Sequence, residues 1–120
     1  MKKVIVSGSL GQIGTELVTR LRRDYGADHV LATDVREDTR GVLPDGPFKV
    51  LDARDGAKYA ECVRDFKADT IFHLAGLLSA TAEQKPQLAW DINIGGTYNA
   101  LEVARENNCS VFFPSSIAAF

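Results

Sequence analysis

The sequence has few cysteines, few histidines and no long hydrophobic run. Its 120 residues include two cysteines, Cys62 and Cys109, and two histidines, His29 and His73. These four residues lack the close spacing of a metal-binding motif, so we expect reduced, buried or half-buried thiols and no metal site. No apolar stretch approaches the roughly 18 residues that a membrane helix requires. No signal peptide precedes the first strand-like run, so we expect a cytoplasmic protein that does not enter a membrane.

An excess of charge of one sign is also missing. The 14 Lys and Arg residues and the 16 Asp and Glu residues leave a formal net charge of −2. Such a balance indicates no general affinity for nucleic acid. The length is enough for one domain with one hydrophobic core.

The most informative stretch is a glycine-rich turn that joins a predicted strand to a predicted helix. The apolar run Val4–Val6 is followed by three glycines, spaced three residues apart: Gly8, Gly11 and Gly14. Gly8 permits a sharp turn, Gly11 lets phosphates approach the backbone, and Gly14 lets the helix pack close to the strand. The free N–H groups at the helix start would then face a pyrophosphate. An ordinary strand-to-helix turn is the alternative.

An acidic residue ends the next apolar run. Asp34 lies 20 residues after Gly14, where a carboxylate would accept hydrogen bonds from an adenosine ribose. A carboxylate there repels a 2′-phosphate and favours NAD over NADP, whereas the nearby Arg36 could accommodate that phosphate. A turn residue at a strand end is the other interpretation of Asp34. With the glycines, Asp34 favours dinucleotide binding.

Strands and helices alternate along the chain. The pattern predicts strands at Lys3–Ser7, His29–Thr33, Phe48–Leu51, Thr70–Leu74 and Ser110–Phe113, and helices at Gln12–Tyr25, Ala57–Lys67 and Pro86–Asn107. This order predicts an α/β fold with a Rossmann-type, doubly wound parallel sheet of strand order 3-2-1-4-5. The apolar runs of the first, fourth and fifth strands predict burial on both faces. We expect one NAD-binding domain over residues 1–120, with its sheet truncated after strand five.

The helices carry three further signals. We expect the arginines near the end of the first helix, Arg20, Arg22 and Arg23, to form a solvated helix end. Residues 98–101 supply apolar positions to the third helix. The Gly95–Gly96 pair costs this helix about 1 kcal/mol per glycine relative to alanine, which favours close packing at that point.

Ligands of such folds bind at the carboxyl ends of the strands. Asp52 follows strand three, where its carboxylate could accept a hydrogen bond from an adenine amino group or simply begin the next helix turn. Residues 74–76 follow strand four and are small enough to let a cofactor pass. Ser115 and Ser116 follow strand five, near the nicotinamide, although a turn hydroxyl after a proline is the alternative. Asn93, in an otherwise apolar helix, would bond to backbone or water, or face solvent.

Together these motifs resemble the extended short-chain dehydrogenase/reductase family, which includes the NAD-dependent epimerases and dehydratases. The matching motifs cover essentially the whole chain, in order: Gly8-x-x-Gly11-x-x-Gly14, Asp34, Asp52, His73-Leu74-Ala75-Gly76, Asn93-x-x-Gly96-Thr97 and Ser115-Ser116. Three segments resemble the epimerase-like L-threonine 3-dehydrogenases most: Asp34-Val35-Arg36, Leu77-Leu78-Ser79-Ala80 and residues 113–120. Sugar-nucleotide epimerases share the glycines, aspartates and serine but usually differ after the His-x-Ala-Gly segment.

The resemblance implies a role for each matching residue. The residues that would contact NAD are Gly8, Leu10, Gly11, Gln12, Ile13, Gly14, Asp34, Val35, Arg36, Asp52, Ala53, Leu74, Ala75, Gly76 and Asn93. Ser116 would be the catalytic serine that orients and polarises the substrate hydroxyl, and Ser79 would contact the amino-acid substrate. The implied reaction oxidises the β-hydroxyl of L-threonine to 2-amino-3-ketobutyrate, and the hydride passes to NAD.

The sequence departs from the family at the catalytic base. The family uses a Tyr-x-x-x-Lys pair, whereas Tyr25, Tyr59 and Tyr98 have no lysine four residues further on. The resemblance therefore implies an amino-terminal part of a longer enzyme, inactive by itself, whose parent dimerises through the long third helix and a following helix outside these 120 residues. A nucleotide-sugar 4-epimerase or dehydratase and a non-catalytic NAD-binding module stay open as alternatives.

Overall fold

A computed structural model describes the backbone of residues 2–74 and 86–113, and within those ranges the side chains other than 86 and 88–93. Five strands and three α-helices alternate there: β1 (Val4–Ser7), α1 (Gln12–Tyr25), β2 (Val30–Asp34), β3 (Phe48–Val50), α2 (Gly56–Phe66), β4 (Thr70–His73), α3 (Pro86–Glu106) and β5 (Ser110–Phe112). A 3-10 turn at Ala27–His29, which the sequence pattern does not predict, delays the start of β2 to Val30.

The five strands form one parallel sheet in the order β3-β2-β1-β4-β5, which confirms the predicted topology. β1 lies at the centre, and its Val6 is in register with Ala32 of β2 and Phe72 of β4. Because the strands are parallel, all of their carboxyl ends meet at one edge of the sheet. The glycine turn leaves β1 at this edge.

Hydrophobic residues pack on both faces of the sheet. On one face, Ile5 and Ile71 belong to a cluster that also contains residues of α2 and α3. On the other face, Val4 and Val6 belong to a cluster with Val18 of α1. Successive strand residues point to opposite faces, so β1 is buried on both sides as predicted. The two cysteines have free thiols, one buried and one half-buried, also as predicted.

The same expectation is wrong for β5. Phe112 is 51% exposed and Ser110 is exposed, because β5 is at the edge of the sheet and pairs only with β4 among the described strands. On α3, Tyr98 and Leu101 are exposed at 62% and 46%, whereas Ala100 is buried. The apolar positions of this helix therefore lie on two faces, one against the sheet and one in solvent.

The prediction that the arginines of α1 form a solvated helix end is wrong for Arg22. This side chain is only 7% exposed, and its guanidinium donates hydrogen bonds to the carbonyl oxygens of Val30 and Pro47. Burial lowers the pKa of Arg22. Arg20 and Arg23 are exposed, as predicted. In the described ranges, no helix combines the length and apolar character that crossing a membrane would need.

Candidate functional site

The glycine turn connects the end of β1 to the start of α1 without a side-chain cap. Gly8 has φ +75°, a left-handed conformation that glycine adopts without strain. The N–H of Gly11 donates to the carbonyl of Gly8 over 3.3 Å. Gly11 is the N-cap of α1 and provides no side-chain hydrogen bond. The first N–H groups of α1 therefore lack a side-chain acceptor from the cap, as an anion-binding helix start requires.

Gly11 and Gly14 differ in the space that the fold leaves for a side chain at each position. A Cβ built at Gly14 would lie 2.2 Å from the carbonyl oxygen of Gly8 and 2.9 Å from Cα of Ser9. A Cβ built at Gly11 would meet that oxygen at 3.5 Å, an ordinary contact. Gly14 is thus required for packing α1 onto the turn, whereas the fold itself tolerates a side chain at Gly11. This confirms the packing role predicted for Gly14, while the phosphate approach at Gly11 stays a prediction.

Ser9, which the sequence reasoning missed, holds the turn against two strands. Its hydroxyl donates to the carbonyl of Val6 over 2.7 Å and accepts the N–H of Thr33 over 3.1 Å. Its backbone N–H donates to the carbonyl of Thr33 over 2.9 Å. Ser9 is fully buried. A small hydroxyl between the first two glycines is the only sequence signal for this role.

Asp34 connects β2 to the glycine turn. Its Oδ2 accepts the N–H of Leu10 over 3.0 Å, and its Oδ1 accepts the N–H of Arg36 over 3.1 Å. Nε of Arg36 lies 3.5 Å from the same Oδ1. The carboxylate is 7% exposed. Asp34 therefore holds the turn in place at the point where a ribose is predicted to bind, and it also engages the arginine that could have accepted a 2′-phosphate.

Asp52 begins the turn between β3 and α2. Its carboxylate pairs with the guanidinium of Arg54, with Nη2 2.8 Å from Oδ2. This hydrogen-bonded arginine lowers the pKa of Asp52. The next acidic residue, Asp55, caps α2 by accepting the N–H of Lys58. Asp52 thus presents a carboxylate at the carboxyl edge of the sheet, on the far side of Asp34 from the glycine turn.

The other predicted contact residues fall into an exposed group and a buried group. Ile13 and Val35 are exposed at 59% and 55%, so two apolar side chains are open to a ligand beside the turn. Ala53 and Leu74 are buried. The Ala53 side chain faces α3, where a Cβ at Gly96 would lie 3.2 Å from it, so a ligand would meet its backbone. This contact confirms the close packing predicted for Gly96.

Several predicted residues lie outside the described part of the chain. They are Ala75, Gly76, Ser79, Ser115 and Ser116, together with the side chain of Asn93. Among the residues that are described, no three His, Cys, Asp or Glu side chains are grouped so that they could hold a metal ion.

A buried histidine lies beneath the same edge. Nδ1 of His73 is 2.9 Å from Oγ of Ser7 and 3.0 Å from the hydroxyl of Tyr59. His73 is 2% exposed, and its Nε2 has no hydrogen-bond partner among the described residues. Desolvation raises the pKa of Tyr59. The sequence offered no role for this histidine, because neither Ser7 nor Tyr59 is near it in the chain.

The arrangement is suited to an adenine dinucleotide. The uncapped start of α1 is suited to a pyrophosphate, Asp34 to a ribose and Asp52 to a base with an amino group. These parts follow β1, β2 and β3, which are neighbours in the sheet. Fold and site together define a dinucleotide-binding domain of the Rossmann type.

Comparison with known proteins places this domain in a family. The sequence profile of the NAD dependent epimerase/dehydratase family matches residues 4–120. The chain therefore belongs to this family, whose cofactor is NAD.

Three relatives illustrate the similarity. An uncharacterized epimerase/dehydratase of Staphylococcus saprophyticus is 58% identical over the whole chain, which spans 38% of that protein. The L-threonine dehydrogenase of Clostridium difficile is 47% identical with a TM-score of 0.94, over 100% of this chain and 38% of the other. A UDP-glucose 4-epimerase of Thermus thermophilus, solved in complex with NAD, is 26% identical with a TM-score of 0.73, over 88% of this chain and 34% of the other.

Proposed function

We propose that this chain is the NAD-binding part of an enzyme that oxidises L-threonine at its 3-hydroxyl. The observation that carries the proposal is the likeness to the L-threonine dehydrogenase of Clostridium difficile, which extends over the whole chain at 47% identity. The chain spans 38% of that protein, so the activity belongs to a longer parent. The domain over residues 1–120 would supply the cofactor site and the first catalytic residue.

The cofactor site of the proposal uses the residues at the carboxyl edge. The turn of Gly8, Gly11 and Gly14 would hold the pyrophosphate, with Leu10, Gln12 and Ile13 beside it. Asp34, Val35 and Arg36 would surround the adenosine ribose, and Asp52 and Ala53 the adenine. Leu74, Ala75, Gly76 and Asn93 would line the remaining path of NAD.

The chemistry of the proposal is a hydride transfer. Bound NAD would supply the hydride acceptor for the Cβ–H bond of L-threonine, and the hydroxyl proton would pass to a base. Ser116 would hold the hydroxyl during this step, and Ser79 would contact the amino acid. The base is expected from a Tyr-x-x-x-Lys pair outside residues 1–120. The products are 2-amino-3-ketobutyrate, NADH and a proton.

The test is the substrate preference of the longer parent. Purified parent enzyme with NAD is expected to form NADH with L-threonine, followed by absorbance at 340 nm, and Ser116→Ala is expected to lower kcat. D-threonine and L-serine are matched controls, since they change the stereochemistry and the side chain of the substrate. Absence of NADH formation with L-threonine would contradict the proposal.

A nucleotide-sugar epimerase or dehydratase is the second candidate. It is supported by the likeness to the UDP-glucose 4-epimerase solved with NAD. The same cofactor site would then serve a different substrate pocket. Turnover of UDP-galactose by the parent, without NADH release and without a response to L-threonine, would favour this candidate.

We also propose that the parent works in the cytoplasm as a homodimer formed through α3. Three apolar side chains, Ile94, Tyr98 and Leu101, are exposed on this helix. Their spacing of four and three residues puts them on one face. Light scattering of the parent is expected to give twice the monomer mass, and Tyr98→Glu is expected to give the monomer. A monomeric wild-type parent would contradict this part of the proposal.

A further inference from the structure

Arg54 holds the carboxylate of Asp52 at several points. Its backbone N–H and its Nε donate to Oδ1 over 2.9 and 3.1 Å. Its Nη2 donates to Oδ2 over 2.8 Å, and Nε also lies 3.3 Å from Oδ2. A planar guanidinium that meets both oxygens of a carboxylate fixes the plane of that carboxylate as well as its position.

Arg54 belongs to a closed turn, and its half-exposed side chain lies beside α3. The turn that carries it is closed by a hydrogen bond from the N–H of Asp55 to the carbonyl of Asp52 over 2.9 Å. Its aliphatic stem faces α3, because a Cβ at Gly95 would lie 3.8 Å from Cγ of Arg54. The carboxylate of Asp52 is therefore aimed by a group that lies between this turn and α3.

The aimed carboxylate still has room for a ligand. A carboxylate offers about four acceptor positions on its two oxygens. Oδ1 accepts two bonds from Arg54, and Oδ2 accepts one short bond from Nη2 and shares Nε with Oδ1 over a longer 3.3 Å, so this long shared contact on Oδ2 is the one that a ligand donor would replace. The Asp52 side chain is 38% exposed, which leaves this carboxylate accessible from solvent.

We propose that Arg54 is a positioning residue that aims Asp52 at the amino group of the cofactor's base, so that the site selects adenine over hypoxanthine dinucleotides. The inference rests on the proposed NAD site. An ionised carboxylate accepts a hydrogen bond from the 6-amino group of adenine. Hypoxanthine carries a carbonyl oxygen at the same position, which faces the carboxylate as a second acceptor and is repelled.

The experiment compares two dinucleotides that differ at the 6-position, amino in adenine and carbonyl in hypoxanthine, and at the neighbouring N1, which carries a hydrogen only in hypoxanthine. Calorimetric titration of the purified parent with NAD and with nicotinamide hypoxanthine dinucleotide is expected to show a preference for NAD of about tenfold or more, since one charge-assisted hydrogen bond is lost. In Arg54→Gln the preference is expected to fall below about threefold, because the backbone N–H alone no longer fixes the carboxylate plane. Arg54→Lys keeps the charge without the planar fork and is expected to lie between the two.

Two further variants distinguish a change in the orientation of the Asp52 carboxylate from a simple loss of charge or of folded structure. Asp52→Asn is expected to remove or reverse the preference, because an amide can donate to the hypoxanthine oxygen. Arg105→Gln removes another exposed arginine, paired with Glu102 over 2.7 Å near the end of α3, and is expected to keep the wild-type preference. Thermal unfolding of each variant reports whether its fold is intact, and a structural role alone would move the midpoint without moving the ratio of the two affinities.

The possible failures can be told apart. If the wild-type parent binds neither dinucleotide, the NAD site itself is contradicted, and this inference falls with it. If the wild type binds both equally well, Asp52 does not meet the 6-position, and only this inference is overturned. If Arg54→Gln keeps the full preference, Asp52 needs no aiming, which also overturns it.

Discussion

Nδ1 of His73, the last residue of β4, lies 2.9 Å from Oγ of Ser7, the last residue of β1. The hydroxyl of Tyr59 on α2 approaches the same nitrogen at 3.0 Å. One imidazole therefore joins two strand ends and a helix directly below the proposed cofactor site. Desolvation penalises its charged form and lowers the pKa of His73 to about 4.

The stability of the chain should therefore fall as the pH drops from 6.5 towards 4. Below the ordinary pKa of 6.5 the unfolded chain binds a proton at His73, whereas the folded chain stays neutral there until about pH 4. This contribution is complete above pH 6.5 and is lost on acidification, with a size of about 3 kcal/mol. Urea unfolding at a series of pH values measures it. His73→Asn should flatten the curve in this window, while Asp52 and Asp69, whose pKa values are lowered, titrate below it in both proteins.

Alanine at Gly14 should lower the stability of the fold, whereas alanine at Gly11 should lower the affinity for NAD. Gly14→Ala meets backbone atoms of Gly8 and Ser9 and is expected to lower the free energy of unfolding by about 3 kcal/mol or more. Gly11→Ala has room in the fold and is expected to change stability by less than about 1 kcal/mol. It should nevertheless lower the affinity for NAD at least tenfold, because its methyl group occupies the phosphate approach. Chemical denaturation and calorimetry separate the two effects, and an unchanged NAD affinity in Gly11→Ala would show that the turn does not touch phosphate.

Asp34→Asn should narrow the preference for NAD over NADP. The amide oxygen can keep one of the two backbone hydrogen bonds, while the loss of charge removes the repulsion of a 2′-phosphate and releases Arg36 from its 3.5 Å ion pair. The ratio of the two affinities is expected to fall about tenfold. Asp24→Asn, at an exposed ion pair with Arg20 on α1, is the matched control and should leave the ratio unchanged. A ratio that is equally unchanged in Asp34→Asn would exclude Asp34 from the ribose contact.

Arg22→Met should destabilise the fold, and Arg23→Met should not. The two arginines are adjacent on α1. Arg22 is buried and donates hydrogen bonds to the carbonyls of Val30 and Pro47, whereas Arg23 is exposed. Loss of Arg22 leaves these carbonyls without their donor and is expected to cost about 2–4 kcal/mol. Arg23→Met should stay within about 0.5 kcal/mol. Equal urea midpoints for the two variants would contradict this role of Arg22.

The sequence predicted the sheet and its order because strand and helix patterns are local. Gly8, Gly11 and Gly14 and the Asp34 that ends β2 depend on short-range geometry, so each could be predicted from spacing. Asp34 is predicted from its distance after Gly14 and from its carboxylate. Its hydrogen bond to Leu10 appears only once β2 lies beside β1.

Contacts between distant segments were not predictable in the same way. Arg22 is covered by Gly46, where a Cβ would come within 2.8 Å of its guanidinium, and nothing in the local pattern of α1 indicates that the later loop folds over it. His73, Ser7 and Tyr59 meet only through the sheet order and the packing of α2. The exposure of Tyr98 has a similar origin, since the face of α3 that meets the sheet is decided by its neighbours.

β3, at the edge of the sheet, lies between the residue that Arg22 contacts and Asp52. β3 has three residues and pairs with β2 alone among the described strands, and a strand held on one side opens locally at lower free energy than the whole fold. Arg22 donates to Pro47 immediately before β3, and Asp52 follows the strand, so a buried cation holds one end of β3 and, in the proposed NAD site, Asp52 at the other end would contact the cofactor. Opening of β3 would move Asp52 away from the proposed site, so a substitution that opens the strand in a large fraction of molecules would weaken dinucleotide binding by that fraction. Amide hydrogen exchange in β3 would report such opening, even for substitutions made at the opposite edge of the sheet.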